Sequence, residues 1–248
     1  MVTRKSRNEI DKMRRAGRIV AEVLALVETE LKPGVSTAHL DRVAETYIRG
    51  AGAVPSFKGY HGYPASLCIS IDDEVVHGIP GDRTIREGQI VSVDAGAIYQ
   101  GWHGDGARTF VVGPSRPEVA RLVETCRAAM MAGIAAARPG NRIGDIAAAV
   151  EDVAGPAGYG IVRQYVGHGI GSAMHEEPQV PNFRSPAQGM QLVPGICLAI
   201  EPMLTLGSHE VETRPDGWTV VTKDGSLAAH FEHTIVITDQ GPQILTTV

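Results

Sequence analysis

Glu87-Gly88-Gln89-Ile90-Val91-Ser92-Val93-Asp94 and Pro194-Gly195-Ile196-Cys197-Leu198-Ala199-Ile200-Glu201 are the two stretches whose comparison decides the fold. Each opens on a Gly-containing turn, continues as a short apolar run of strand length and ends on one acid. Asp94 and Glu201 stand 107 positions apart. The segments ahead of them keep nearly the same interval. Ile10, Met13, Ile19, Val20, Val23, Leu24 and Val27 recur at helical spacing over Asn8–Leu31, Lys32-Pro33-Gly34 stops that helix, and a second helix is expected from about Ser36 to Arg49. Val119–Ala137 is again helical, Arg138-Pro139-Gly140 breaks it, and Ile143–Val153 begins another helix; the two Pro-Gly breaks lie 106 positions apart.

Further on, Asp105 precedes the strand-like Arg108-Thr109-Phe110-Val111-Val112, and Glu232 precedes Thr234-Ile235-Val236-Ile237. A recurrence of this kind reads as duplication. The expectation is an α+β chain with one domain over 1–248, built from pseudo-two-fold halves at about 8–113 and 117–240. Their strands would join into a curved, mainly antiparallel sheet covered by helices. Chance recurrence is the alternative, since Pro-Gly commonly follows a helix.

Acids beside apolar strands need an explanation, because burying an unpaired carboxylate costs several kcal/mol or more. For any one of Asp94, Asp105, Glu201 or Glu232 alone, a surface position or an ordinary ion pair is the better reading. Together they carry four negative charges with few basic residues nearby, which two divalent cations would neutralise. Imidazoles accompany them: His168 in Tyr165-Val166-Gly167-His168-Gly169-Ile170-Gly171, His175 in His175-Glu176-Glu177-Pro178, and His77 in Val76-His77-Gly78-Ile79-Pro80. Spacing alone leaves these divided between ligands and satisfied core or loop residues.

Taken in order with Val93-Asp94-Ala95-Gly96, Gly104-Asp105-Gly106, Glu201-Pro202 and Phe231-Glu232-His233-Thr234, these segments resemble the type I methionine aminopeptidases across about Asn8 to Ile237. The resemblance implies the pita-bread (creatinase/aminopeptidase) fold and hydrolysis of the first peptide bond, releasing initiator methionine, preferentially ahead of a small second residue. By resemblance, Asp94, Asp105, His168, Glu201 and Glu232 hold two divalent ions, with Asp105 and Glu232 bridging them. Manganese, iron or cobalt suits this oxygen-rich set, with zinc also admissible. A hydroxide between the ions would be the nucleophile, Glu201 would carry the proton, and His77 and His175 would face the substrate. Tyr60, Tyr63, Cys68, Met174 and Trp218 would surround the methionine side chain, whose sulfur suits aromatic faces. Two positions depart from the family pattern. Met174 stands where many relatives carry an aromatic, which would loosen that pocket. His230 stands where Gln is common, which would alter the surroundings of the metal ligands.

Composition bounds the rest. A net charge of -5 without a long basic run argues against a specific nucleic-acid binder. The basic start, Arg4 to Arg15, lacks the apolar core of a signal peptide, and no run of about 18 apolar residues suggests a membrane span. Cys68, Cys126 and Cys197 are odd in number and widely spaced, as suits reduced thiols. A cytoplasmic monomer is expected, acting on the N-termini of nascent polypeptides with at most transient ribosome contact. No zinc-binding extension is expected before Asn8.

Overall fold

Ser6 precedes the first apolar-periodic segment, and its backbone N–H donates to Glu9 Oε2 at 2.6 Å, closing a capping box at the helix start. The computed structural model describes residues 2–248. From that cap runs α1 (Arg7–Glu30), followed after Pro33-Gly34 by α2 (Thr37–Gly50). Strands β1 (Val54–Pro55), β2 (Leu67–Ile71), β3 (Glu74–Val76), β4 (Ile90–Tyr99) and β5 (Trp102–Val111) come next. Then α3 (Pro117–Ala136) and α4 (Ile143–Ala154) flank the second Pro-Gly break. Helix α3 starts two residues before the apolar pattern does, because Pro117 occupies its first turn, where a missing N–H costs nothing.

Ten strands complete the chain: β6 (Gly160–Ile161), β7 (Gly167–Gly169), β8 (Glu176–Val180), β9 (Cys197–Ile200), β10 (Met203–Thr205), β11 (Val211–Thr213), β12 (Val220–Thr222), β13 (Ala228–His230), β14 (His233–Thr238) and β15 (Gly241–Ile244). Every pairing among them is antiparallel. One main sheet has β4 between β2 and β5, with β1 pairing beyond them; the other runs β15-β14-β9-β7-β8. Two three-stranded sheets, β13-β10-β6 and β11-β12-β3, fill the flanks.

The main sheets meet along β5. Ala107 and Glu232 exchange both backbone hydrogen bonds, 3.3 and 2.9 Å long, and Thr109 Oγ1 donates to the His230 carbonyl at 2.7 Å. Apolar faces are covered from outside. Ile19, Val23, Leu24, Leu40 and Ile48 of the first helix pair bury against Ile69, Val91 and Val93. Leu122, Cys126, Met130 and Ile146 of the second pair bury against Leu198, Ile200, Ile235 and Ile237.

Helix α1 lies on β5 at backbone contact. A Cβ added to Gly104 would stand 2.5 Å from the Gly17 nitrogen and 2.8 Å from the Ala16 carbonyl carbon. Gly104 immediately precedes Asp105, so this contact sets the depth of an acid. Gly104→Ala should lower stability by about 1–3 kcal/mol in urea unfolding, the usual cost of overpacking a close contact. An unchanged midpoint would mean that α1 slides freely on β5.

Candidate active site

Strands β4 and β5 form a hairpin of ten residue pairs in continuous register from Ile90↔Val111 to Tyr99↔Trp102. Asp94 and Asp105 therefore lie inside strands rather than at their ends, because Ala95-Gly96-Ala97 continues the pairing beyond Asp94. Asp94 is directly opposite Ala107, and Ala107 is hydrogen-bonded to Glu232. Residues directly opposite share a face, as do residues two apart along a strand. One face of the joined sheets thus receives Asp94, Asp105 and Glu232. Glu201 arrives just beyond the end of β9, and His168 from the adjacent β7, where it pairs with Ala199.

Asp105, His168 and Glu232 each present a ligand atom within 4.8 Å of the others, and all three are buried. Glu201 Oε1 lies 3.4 Å from His168 Nε2. On its other ring nitrogen, His168 Nδ1 is 2.8 Å from the Gly169 carbonyl. A carbonyl can only accept, so Nδ1 carries the proton and Nε2 presents a lone pair to the acids. Gly169 has no room for a side chain there, since a Cβ would fall on the Glu177 backbone.

Among the described residues, no Lys or Arg stands within 4 Å of Asp94, Asp105, Glu201 or Glu232. Asp94 Oδ1, Asp105 Oδ1 and Glu232 Oε1 are buried without a hydrogen-bond partner. Burial, and then Asp105 and Glu201, push the Asp94 carboxyl well above the usual range. Burial raises Asp105 to about 7. Glu201 and Glu232 are likewise raised, by burial first and by neighbouring acids second. The partial exposure left to Asp94 and Glu201 is to the cavity they line, so desolvation still dominates. Burial and the nearby His175 hold His168 down at about 4. Orphaned carboxyl oxygens facing a neutral imidazole are what a divalent cation site requires, and these residues fit one.

All twelve residues singled out from the sequence line a single cavity of about 730 Å³ including its mouth. At one end are the acids and His168. At the other, Tyr63, Cys68 and Met174 are buried in an apolar cluster with Tyr60 and Trp218 packed against it, the Tyr63 and Trp218 rings meeting edge-on at 5.0 Å. Tyr60 Oη lies 2.8 Å from His175 Nδ1. His77 is held in a left-handed backbone conformation, φ 61°, which only a constrained loop imposes on a non-glycine residue. Burial lowers its imidazole to about 4.

Phe57, Tyr165, Val166 and Met203 also line the cavity and were not foreseen. Tyr165 and Val166 belong to the run that carries His168, and Met203 follows Glu201-Pro202, so their neighbours were the available signal. Phe57 had none: it reaches the site because Gly96, on the far strand, lacks a Cβ where its ring sits. His230 is 1% exposed, and its Nε2, 3.7 Å from Glu201 Oε2, has no hydrogen-bond partner.

The fold and an acid-lined cavity define a metal-dependent hydrolase, and residues 11–239 match metallopeptidase family M24. This chain belongs to that family. It is 51% identical to the methionine aminopeptidase of Clostridium acetobutylicum over 99% of both chains, and 46% identical to methionine aminopeptidase 1 of Bacillus subtilis over the whole of both. The crystal structure of methionine aminopeptidase from Thermotoga maritima superposes with a TM-score of 0.98 at 42% identity, covering both chains completely. The pita-bread fold implied by the resemblance is the one this chain shares with that structure, and it agrees with the duplicated layout.

Raised carboxyl pKa values and a lowered His168 pKa fix the sign of a linkage. The raised carboxyls favour proton uptake in the metal-free site and the lowered His168 disfavours it, so an entering cation displaces protons from carboxyls rather than from the imidazole. Mn(II) titration by calorimetry, in buffers of different ionisation enthalpy at about pH 7, should show proton release and an affinity that rises with pH. Binding without proton release would contradict the raised carboxyls.

Proposed function

We propose that this protein removes the N-terminal methionine from nascent polypeptides, preferentially when the second residue is small. The observation that carries the reading is the single cavity in which four uncompensated carboxylates and His168 adjoin an apolar pocket with aromatic and sulfur-bearing walls. Asp94, Asp105, His168, Glu201 and Glu232 would hold two divalent ions, drawn from manganese, iron or cobalt, with zinc also admissible. When bound, such ions supply a water of lowered pKa and polarise a carbonyl.

The chain's own groups do the rest. Tyr63, Cys68, Met174 and Trp218 seat the methionine side chain, excluding water from it. Glu201 receives the proton given up by the attacking water and passes it to the departing amine. In this reading Tyr60 donates across its 2.8 Å contact to His175 Nδ1, which puts the imidazole proton on Nε2, where it would meet the oxyanion that develops on the substrate. His77 steadies the substrate amide.

The chain acts as one catalytic unit over 1–248, its halves at about 8–113 and 117–240 each contributing acids to the shared face. A cytoplasmic setting suits three buried free thiols, and among the described residues no helix is long and apolar enough to cross a membrane. Contact with the ribosome would be transient, following from the substrate.

Metal-stripped protein should release no methionine from Met-Ala-Ser. Mn(II), Fe(II) or Co(II) should restore release, with Leu-Ala-Ser remaining uncut. Asp94→Ala should abolish it, and Glu201→Gln should lower kcat by about 10²–10⁴-fold, the range for a lost general acid-base. Absence of cleavage with every ion would favour a peptide-binding protein without catalysis.

A further inference from the structure

Lys5 is a buried cation outside the machinery just described, with its side chain 3% exposed. Its ammonium lies 2.5 Å from Glu176 Oε2 and 2.6 Å from Thr3 Oγ1. Thr3 Oγ1 in turn donates to the same Glu176 oxygen at 3.0 Å. The Lys5 backbone N–H is anchored separately, to the Gly195 carbonyl at 2.7 Å, on the turn that leads into β9. The other Glu176 oxygen accepts from the Ala173 N–H at 3.3 Å. Glu176 therefore spans two elements, gripping the N-terminal segment with one oxygen and its own loop with the other.

That loop, residues 171–176, carries Met174 and His175. It is fixed at its start as well, where the Gly171 carbonyl accepts from the His103 N–H at 2.9 Å. Gly171 lies against the ion pair so closely that a Cβ would fall 2.5 Å from both Lys5 Cε and Glu176 Oε1. Lys5 is enclosed and the Glu176 side chain is 15% exposed, so removing the ammonium leaves a largely sheltered carboxylate without its counter-charge, and the loop must rearrange or admit water.

We propose that Thr3–Lys5 is a strap that sets the position of the 171–176 loop, making Lys5 a positioning residue that acts on the reaction through His175 and Met174. The ion pair reaches the two ends of the cavity at once, the imidazole proposed to meet the oxyanion and the thioether in the methionine pocket. The catalytic consequence rests on the aminopeptidase reading; the structural one does not.

The test compares wild type with Lys5→Met, Lys5→Arg and Thr3→Val. Readouts are kcat and KM on Met-Ala-Ser with Mn(II), thermal unfolding, and the ¹⁵N imidazole signals of His175 in metal-free protein. Lys5→Met should lower kcat/KM by about 10–100-fold, mostly in kcat, as sub-ångström to 1 Å misplacement of a catalytic group does, and should shift the His175 signals. Lys5→Arg should return both most of the way. Thr3→Val, which leaves the ion pair but removes the hydroxyl that accepts from Lys5 and donates to Glu176, should move the signals less in the same direction, and it decides the matter if Lys5→Met does not fold. Unmoved His175 signals overturn the strap, whether or not activity falls. A wild type that cuts no methionyl peptide would fail the aminopeptidase reading, while the His175 signals would still decide the strap.

Discussion

Three carboxylates on one face of the joined sheets and a fourth, Glu201, just beyond the end of β9 converge on one cavity with, among the described residues, no Lys or Arg in ion-pair reach, and the surrounding layers hold them there. Desolvating each ionised group costs several kcal/mol even after relaxation, and their mutual repulsion adds to that. Protons relieve the strain in the metal-free chain, which is why the carboxyls titrate high. A divalent cation held among them would relieve it further. Stability elsewhere must outweigh the cost in either state.

Two helix pairs provide that stability from outside the sheets. Each buries a continuous apolar face against strands whose opposite faces turn towards the acids. The contact between α1 and β5 through Gly17 and Gly104 leaves little freedom for the backbone beside Asp105. Helix packing and acid placement are coupled through one strand, so a shift of the covering layer is transmitted directly to the site.

Catalysis and selectivity occupy opposite ends of one cavity in the proposed reaction, and loops rather than strands join them. Tyr60 reaches across to His175, Trp218 closes on Tyr63, and the 171–176 loop contributes both Met174 and His175. Loops are mobile unless anchored. Here the anchoring comes from sheltered polar contacts, among them the Tyr63 hydroxyl on the Leu67 and Gly78 carbonyls and the Lys5–Glu176 pair.

Much of this was legible in the chain. Helical spacing marked all four helices to within two residues or so, and an apolar run ending on an acid marked β4 and β9, because periodicity is a local property of residues that must face a core. Asp94, Asp105, His168, Glu201, Glu232, His77 and His175 were legible through ordered motifs, Tyr60, Tyr63, Cys68, Met174 and Trp218 only through the family resemblance, and all twelve line one cavity. Phe57 was not legible, nor was the grip of Lys5 on Glu176, since neither has a local signature. Local sequence settles which segments become helix or strand and which residue types stand beside them. Tertiary structure alone decided that Ala107 pairs with Glu232, so that acids from distant segments meet, and that residues 3–5 reach the loop at 171–176. Those outcomes depend on contacts between residues more than a hundred positions apart, where backbone pairing and burial, rather than neighbouring sequence, choose the partner.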